Sequence, residues 1–213
     1  MGQKQKGKVS PIPYDTPLGT TWWGKAWNNN LKRYADCDNR VGRGKSYLKN
    51  GFVVDMQIDT GIIYAKVMGS RATPYNVSVR IDPITKQRWN ELLEKCGARI
   101  NDVQSLVAGD FPKSLQDILE EELFPNPKEI HFACSCPDGA SMCKHVSAVL
   151  YGIGVFLDKD PTLFFKLRDI DMHDLIKKSV ADRTKLLLQN AKKKSDRVID
   201  EEEATKLFGF SAV

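Results

Sequence analysis

The sequence predicts an α+β fold: an N-terminal antiparallel meander with flanking helices, then a small ββα-like unit and C-terminal helices. Three observations lead there. Residues 52–81 hold three consecutive strand-like segments separated by turn signals, the pattern of a sheet with one covered face. Apolar residues recur at helical spacing on either side of that region. Beyond Pro125-Asn-Pro127, a short strand pattern, Glu129-Ile-His-Phe-Ala133, runs into a cluster of cysteines and a histidine. The expected organisation is a flexible basic lead over 1–19, an α+β domain over 20–124, the cysteine-bearing region over 125–170, and a C-terminal helix with an acidic and apolar tail over 171–213.

Met1 to Leu18 has three prolines and no apolar period, so regular structure is expected from about Thr20. Trp23 and Trp27 stand one helical turn apart and Leu31 adds another, giving an amphipathic first helix. Its tryptophans either pack against a sheet or, if exposed beside cations, form a stacking platform for single strands. Burial of Trp22 and Trp23 decides between the two. Arg40, Arg43 and Lys45 follow among glycines, ahead of the first strand, where cationic side chains can straddle phosphates.

In the first strand Phe52, Val54, Met56 and Ile58 alternate with Val53, Asp55, Gln57 and Asp59. The turn signal Asp59-Thr-Gly61 leads into Ile62–Met68, and Tyr75, Val77, Val79 and Ile81 share one face of a third strand. Arg71 lies in the loop between strands two and three. Arginine grips phosphate bidentately, and neighbouring glycines permit close backbone approach. The plainer alternative is that Arg71 pairs with a carboxylate and the glycines only turn the chain.

Asp82-Pro83 reads as a helix start; Trp89, Leu92, Leu93 and Cys96 form the stripe, and Gly97 closes it. Cys96 is most simply a core residue, and Cys37 a free thiol. Short helices are expected near 102–108 and 114–123, the second with Leu115, Ile118, Leu119 and Leu123 on its apolar face. A last helix spans about 171–190, anchored by Leu175, Ile176, Leu186 and Leu187, with Lys192-Lys-Lys194 as its solvated end. The tail, Asp200-Glu-Glu-Glu203 then Leu207-Phe-Gly-Phe210, suits either a docking peptide or a helix that packs on the body.

Cys134, Cys136, Cys143 and His145 lie within twelve residues, as a Cys-x-Cys pair, six intervening residues, and a Cys-x-His pair. Three thiols and an imidazole make a complete Cys₃His set, the kind Zn²⁺ takes in closed structural sites. Residues two apart on an extended segment face the same side, so Cys134 and Cys136 can grip one ion from a strand end. Residues two apart on a helix diverge by roughly 200°, so Cys143 should precede a helix and His145 should occupy its first turn. A disulfide is the competing reading, but adjacent Cys-x-Cys geometry rarely closes one, and five cysteines would leave a thiol over. His131, three residues before the first ligand, is expected to have a surface or packing role. His173 is expected to be solvated.

Cys134-Ser-Cys136-Pro137-Asp138, Cys143-Lys144-His145 and the following Val146-Ser-Ala-Val149-Leu150-Tyr151 resemble the SWIM-type zinc finger. The likeness extends to stretches similar to bacterial SWIM proteins: Thr21-Trp22-Trp23-Gly24-Lys25-Ala26-Trp27, Arg43-Gly44-Lys45-Ser46-Tyr47, Gly69–Tyr75, Leu106–Pro112 and Asp160–Arg168. Asp169 departs from the pattern, standing where such proteins often carry glycine. The resemblance implies one structural Zn²⁺, an association with Swi/Snf-type helicase-like ATPases, and binding to DNA or to partner proteins.

The chain has 213 residues, a net charge of +5 and 41% hydrophobic residues, enough for a core but with no run near the ~18 apolar residues of a membrane span. With no signal peptide, it is expected to be soluble and cytoplasmic, with no membrane partner. Residues 1–50 hold ten basic against three acidic residues, whereas 101–130 hold two against seven. A basic front half attracts polyanions. No glycine-rich phosphate loop, no Ser-His-Asp set and no paired-carboxylate nuclease motif is recognisable, so no enzyme activity is expected. The expected function is that of a zinc-stabilised accessory protein binding DNA or RNA through Arg40, Arg43, Lys45 and Arg71. Base specificity is not expected, because no recognition helix rich in Arg, Asn and Gln is visible. The alternative is a protein-interaction adaptor that docks an ATPase or polymerase with little nucleic-acid contact.

Overall fold

A computed structural model describes residues 17–35, 38–97 and 113–191, together with 5–7, 111, 205, 206, 208 and 209. It is α+β. Its sheet is an antiparallel meander of β2 (Val53–Asp59), β3 (Ile62–Val67), β4 (Tyr75–Ile81) and β5 (Ile130–Cys134). A three-residue strand, β1 (Gln5–Gly7), pairs with the edge of β2, within the lead expected to lack regular structure. The helices are α1 (Trp22–Asn30), α2 (Asp38–Lys49), α3 (Lys86–Gly97), α4 (Lys113–Leu123), α5 (Lys144–Lys159), α6 (Leu163–Leu167) and α7 (Met172–Ala191), with a 3-10 turn at Leu31–Tyr34.

Alternation fixes which face of the sheet is covered. Met56, Ile58, Ile63, Ala65, Val67, Val77, Val79 and Ile81 are buried, while Tyr64, Lys66, Asn76 and Arg80 point into solvent from the opposite face. The phase of β2 differs from expectation. A register shift between Val53 and Asp55 inserts a residue, so Val53 is buried and Phe52 is 40% exposed. A β-bulge of this kind offsets the alternation by one, which simple period-two counting cannot detect.

The covered face is filled by α5, whose residues are apolar nearly all round and buried along most of its length. Helices α1 and α2 pack on α5. Trp23 and Trp27 are buried against Phe164, and the Trp27 indole N–H donates to the Leu150 carbonyl at 2.8 Å. Trp23 and Trp27 therefore pack against helices, while Trp22 is half-buried beside Trp23, with ring centroids 4.1 Å apart. Thr21 caps α1 by accepting from the Gly24 N–H at 3.3 Å, and Asp158 near the end of α5 holds this end, accepting from the backbone N–H groups of Thr20 (2.7 Å) and Thr21 (3.0 Å).

Residues 38–49, where Arg40, Arg43 and Lys45 sit among glycines, form helix α2. Gly44 is there for contact rather than for turning: a Cβ at this position would lie 2.2 Å from Ser147 Oγ, so its absence lets α2 approach α5. Helix α3 buries Trp89, Leu92 and Cys96 as expected, and α4 buries Leu115, Leu119 and Leu123. Helix α7 anchors through Leu175 and Ser179, but Leu186 and Leu187 are 57% and 60% exposed and hold nothing. Cys37, the helix expected over 102–108, Lys192–Lys194 and the acidic run 200–203 lie outside the described residues, as do Leu207 and Phe210.

The core crosses residue 125 without a break, joining Trp27, Leu31, Val79, Phe124, Ile130 and Val149. The partner of β5 is β4 of the meander, so among the described residues the 125–170 region contributes one strand rather than a ββ pair. Charged side chains bind the same parts together. The fully buried Arg168, just after α6, donates to the Asp82 carbonyl at 2.8 Å and pairs with Glu129 at 3.3 Å. Arg88 of α3 bonds both Glu129 and Glu122, and Lys95 reaches Glu122 at 2.6 Å. No helix among the described residues is long and apolar enough to cross a membrane.

Candidate metal centre

Cys134 ends β5 opposite Val77 of β4. Ile130 and Cys134 turn inward while His131 and Ala133 face out, and Cys136 continues that alternation one step past the strand. The Cys-x-Cys turn is pinned by Ser135: its N–H donates to the Asn76 carbonyl at 3.0 Å, and its Oγ accepts the Asn76 N–H at 2.9 Å. Cys143 is the N-cap of α5 with extended backbone (φ −72°, ψ 169°), and His145 lies in the first helical turn. This is the arrangement that the Cys-x-His spacing demands.

The four donor atoms lie within 4.8 Å of one another. Nδ1 of His145 is 3.9 Å from Cys134 Sγ and 3.8 Å from Cys143 Sγ, so this nitrogen faces the thiols. The Cys143 thiol is held well below its ordinary range, first by the hydrogen bond it receives from Cys134, then by His145 and the Val146 N–H at the helix start. Donating that same hydrogen bond, with burial, pushes the Cys134 thiol up. Soft sulfur donors and an inward imidazole nitrogen fit a cation. Cys134, Cys136, Cys143 and His145 could hold a metal ion, with no disulfide among them.

Packing fixes the imidazole. Tyr75 lies against one side of the ring, with centroids 4.6 Å apart, and Tyr47 of α2 meets it edge-on at 5.5 Å. Nε2 is buried with no hydrogen-bond partner among the described residues. Gly69 closes over this side. A Cβ there would lie 2.4 Å from the Tyr75 ring and 3.0 Å from His145 Nε2. Two cations cover the tyrosines from outside: Arg71 lies 5.2 Å from the Tyr75 centroid, and Lys144 Nζ lies 4.8 Å from that of Tyr47.

The remaining residues singled out in the sequence separate. His131 is not at the site; its Nε2 is 3.0 Å from Asp82 on the outer face. His173 is exposed and touches Asp171 at 2.8 Å. Arg40 pairs with Asp138 at 3.2 Å, tying α2 to the turn between the ligand pairs. Arg43 and Lys45 are exposed on α2 and, two residues apart on a helix, point in different directions. Arg71 itself has no carboxylate partner among the described residues and lies over Tyr75. Sequence reasoning missed Tyr47, Tyr75 and Lys144 as the shell around His145. Lys144, between two ligands in sequence, carried the clearest available signal.

No family model and no solved structure matches the chain. It is similar to an uncharacterized protein of Mycobacterium tuberculosis, Rv2102, with 32% identity over 170 residues. The matched region takes in 78% of this chain and 61% of the relative, so the chain spans about three fifths of that relative's length.

Proposed function

We propose that Cys134, Cys136, Cys143 and His145 hold one structural Zn²⁺ and that the 125–170 region is a SWIM-type zinc finger within a nucleic-acid-binding accessory protein. The convergence of three sulfurs and one imidazole nitrogen supports zinc over harder cations, which favour oxygen. When bound, the ion would cross-link the end of β5 to the start of α5. Four protein donors leave no position for a reactive water, so the role is structural and non-enzymatic.

The observation favouring a polyanionic partner is the pair of cations, Arg71 and Lys144, spread over the two tyrosines that enclose His145. With Arg43 and Lys45 exposed nearby in sequence on α2, they give a phosphate-contacting surface without a base-reading helix. DNA or RNA would be bound without sequence preference, in partnership with a helicase-like ATPase of the Swi/Snf type. The test is the affinity of zinc-loaded protein for labelled oligonucleotides between low and moderate salt. A fall with a log–log slope of about −1 to −3 is expected, reduced by roughly one in Arg71→Ala. Salt-independent binding, or none, contradicts the proposal.

A second reading, the protein-interaction adaptor, is favoured by Val180, Leu186, Leu187 and Leu188, exposed from the middle of α7 toward its end. Leu186→Glu with Leu187→Glu would then abolish capture of an ATPase or polymerase partner while leaving oligonucleotide binding intact.

A further inference from the structure

The face of the sheet opposite α5 carries an aromatic side chain at its centre. Tyr64 of β3 is 54% exposed and stands directly across from Gln57 of β2 and Ser78 of β4. Two residues along, on the same face, Lys66 stands across from Asp55 and Asn76. Asp55, Gln57, Tyr64, Lys66 and Asn76 line a shallow groove of about 150 Å³. Burial usually claims an aromatic ring in a central strand; here it is presented to solvent among amides and a hydroxyl.

We propose that this groove binds the bases of a single-stranded nucleic acid, with Tyr64 as the stacking surface; the inference rests on the nucleic-acid reading above. The ring offers a flat π-face, which any base can cover without regard to sequence. Gln57 and Asn76 supply both donors and acceptors for base edges. Charge is distributed to match. Lys66 makes no ion pair among the described residues, and the strand it belongs to leads directly into the loop that carries Arg71. At the opposite end Arg80 and His131 are both engaged by Asp82. Asp55 is the one acidic group in the groove, and Gln57 donates to it at 3.4 Å. A strand would therefore lay its phosphates toward Lys66 and its bases on Tyr64. Paired bases are stacked on each other and unavailable to the ring, so duplex should not use this face.

The experiment compares wild type, Tyr64→Ala, Tyr64→Phe and Arg71→Ala, each zinc-loaded, for binding a labelled twenty-nucleotide oligo-dT and a duplex of equal length. Tyr64→Ala should weaken oligo-dT binding about ten-fold and leave duplex binding unchanged, while Tyr64→Phe stays within about two-fold of wild type. Arg71→Ala should weaken both ligands. Unchanged oligo-dT binding by Tyr64→Ala, alongside weakened binding by Arg71→Ala, overturns the groove and leaves the nucleic-acid reading standing. Equal losses for oligo-dT and duplex overturn stacking as the mode. Failure of wild type to bind either oligonucleotide at low salt overturns the nucleic-acid reading itself. A change in the sedimentation of the free protein caused by Tyr64→Ala would mark the face as a self-association surface, which also contradicts the proposal.

Discussion

The rings of Tyr75 and His145 lie 4.6 Å apart, centroid to centroid, with their planes tilted by 38°. Tyr75 opens β4 and His145 lies in the first turn of α5, so this contact joins the sheet to the metal-binding corner. A ligating histidine usually has its second nitrogen oriented by a hydrogen bond. Here Nε2 has no such partner among the described residues, and the ring is oriented by Tyr75, Tyr47 and the backbone at Gly69. Tyr75→Ala should therefore loosen the imidazole and lower metal affinity about ten-fold, while Tyr75→Phe retains it. Competition with a chromogenic chelator measures this, and equal affinity in Tyr75→Ala would remove the ring from that role.

Loss of a ligand should act on the corner more than on the fold. Cys136→Ser or His145→Ala is expected to lose the ion and cost on the order of 5 kcal/mol, less than a free-standing finger loses. The reason is that β5 stays paired with β4 and α5 stays buried between the sheet and α1 and α2. Hydrogen exchange should show lost protection over residues 135–143 while β2 to β4 keep theirs. Global unfolding of the variant would show that the metal holds the whole domain.

Arg168 is fully buried and depends on Glu129 for its countercharge. Burial disfavours its charged form, and the Glu129 carboxylate offsets this. Glu129→Gln leaves a buried cation short of its partner and also deprives Arg88, so a loss of about 2–4 kcal/mol is expected in urea denaturation. A change under 1 kcal/mol would mean that the Asp82 carbonyl and hidden water suffice.

Acid should weaken the same network. Lys95, and then Arg88, hold the Glu122 carboxyl below its usual 4.5, and the hydrogen bond with His131 leads the lowering of Asp82 below its usual 3.8. Both groups have folded values below their unfolded ones. Their stabilising contribution is thus complete above about pH 4.5 and is lost as pH falls through the folded values. Both sites are partly open to solvent, which makes the effect small. Lys95→Met should flatten the acid limb of a stability–pH curve between about pH 3 and 5; an unchanged limb would assign acid sensitivity elsewhere.

The metal corner was legible because ligand geometry constrains spacing: Cys-x-Cys needs an extended segment and Cys-x-His needs a helix start, and both are present. Strand β4 was equally plain from alternation, and β3 from the Asp59-Thr-Gly61 turn that precedes it. Where sequence reasoning failed, the cause was tertiary. Gly44 resembles a turn residue but serves the contact with Ser147, so the helical course of α2 is not announced by its sequence. Val54 is the extra residue of a bulge, and nothing in its own identity announces it. Leu186 and Leu187 have helical spacing but no surface of the described residues to meet. Asp169, noted as a departure from glycine, has φ +55°, a left-handed backbone that glycine adopts freely and aspartate tolerates better than most residues.

The most direct test of the account is X-ray absorption at the zinc edge on the purified protein. A first shell of three sulfurs at about 2.3 Å and one nitrogen at about 2.0–2.1 Å is expected. A shell containing water or carboxylate oxygen, a different count of sulfurs, or no zinc at all would contradict it.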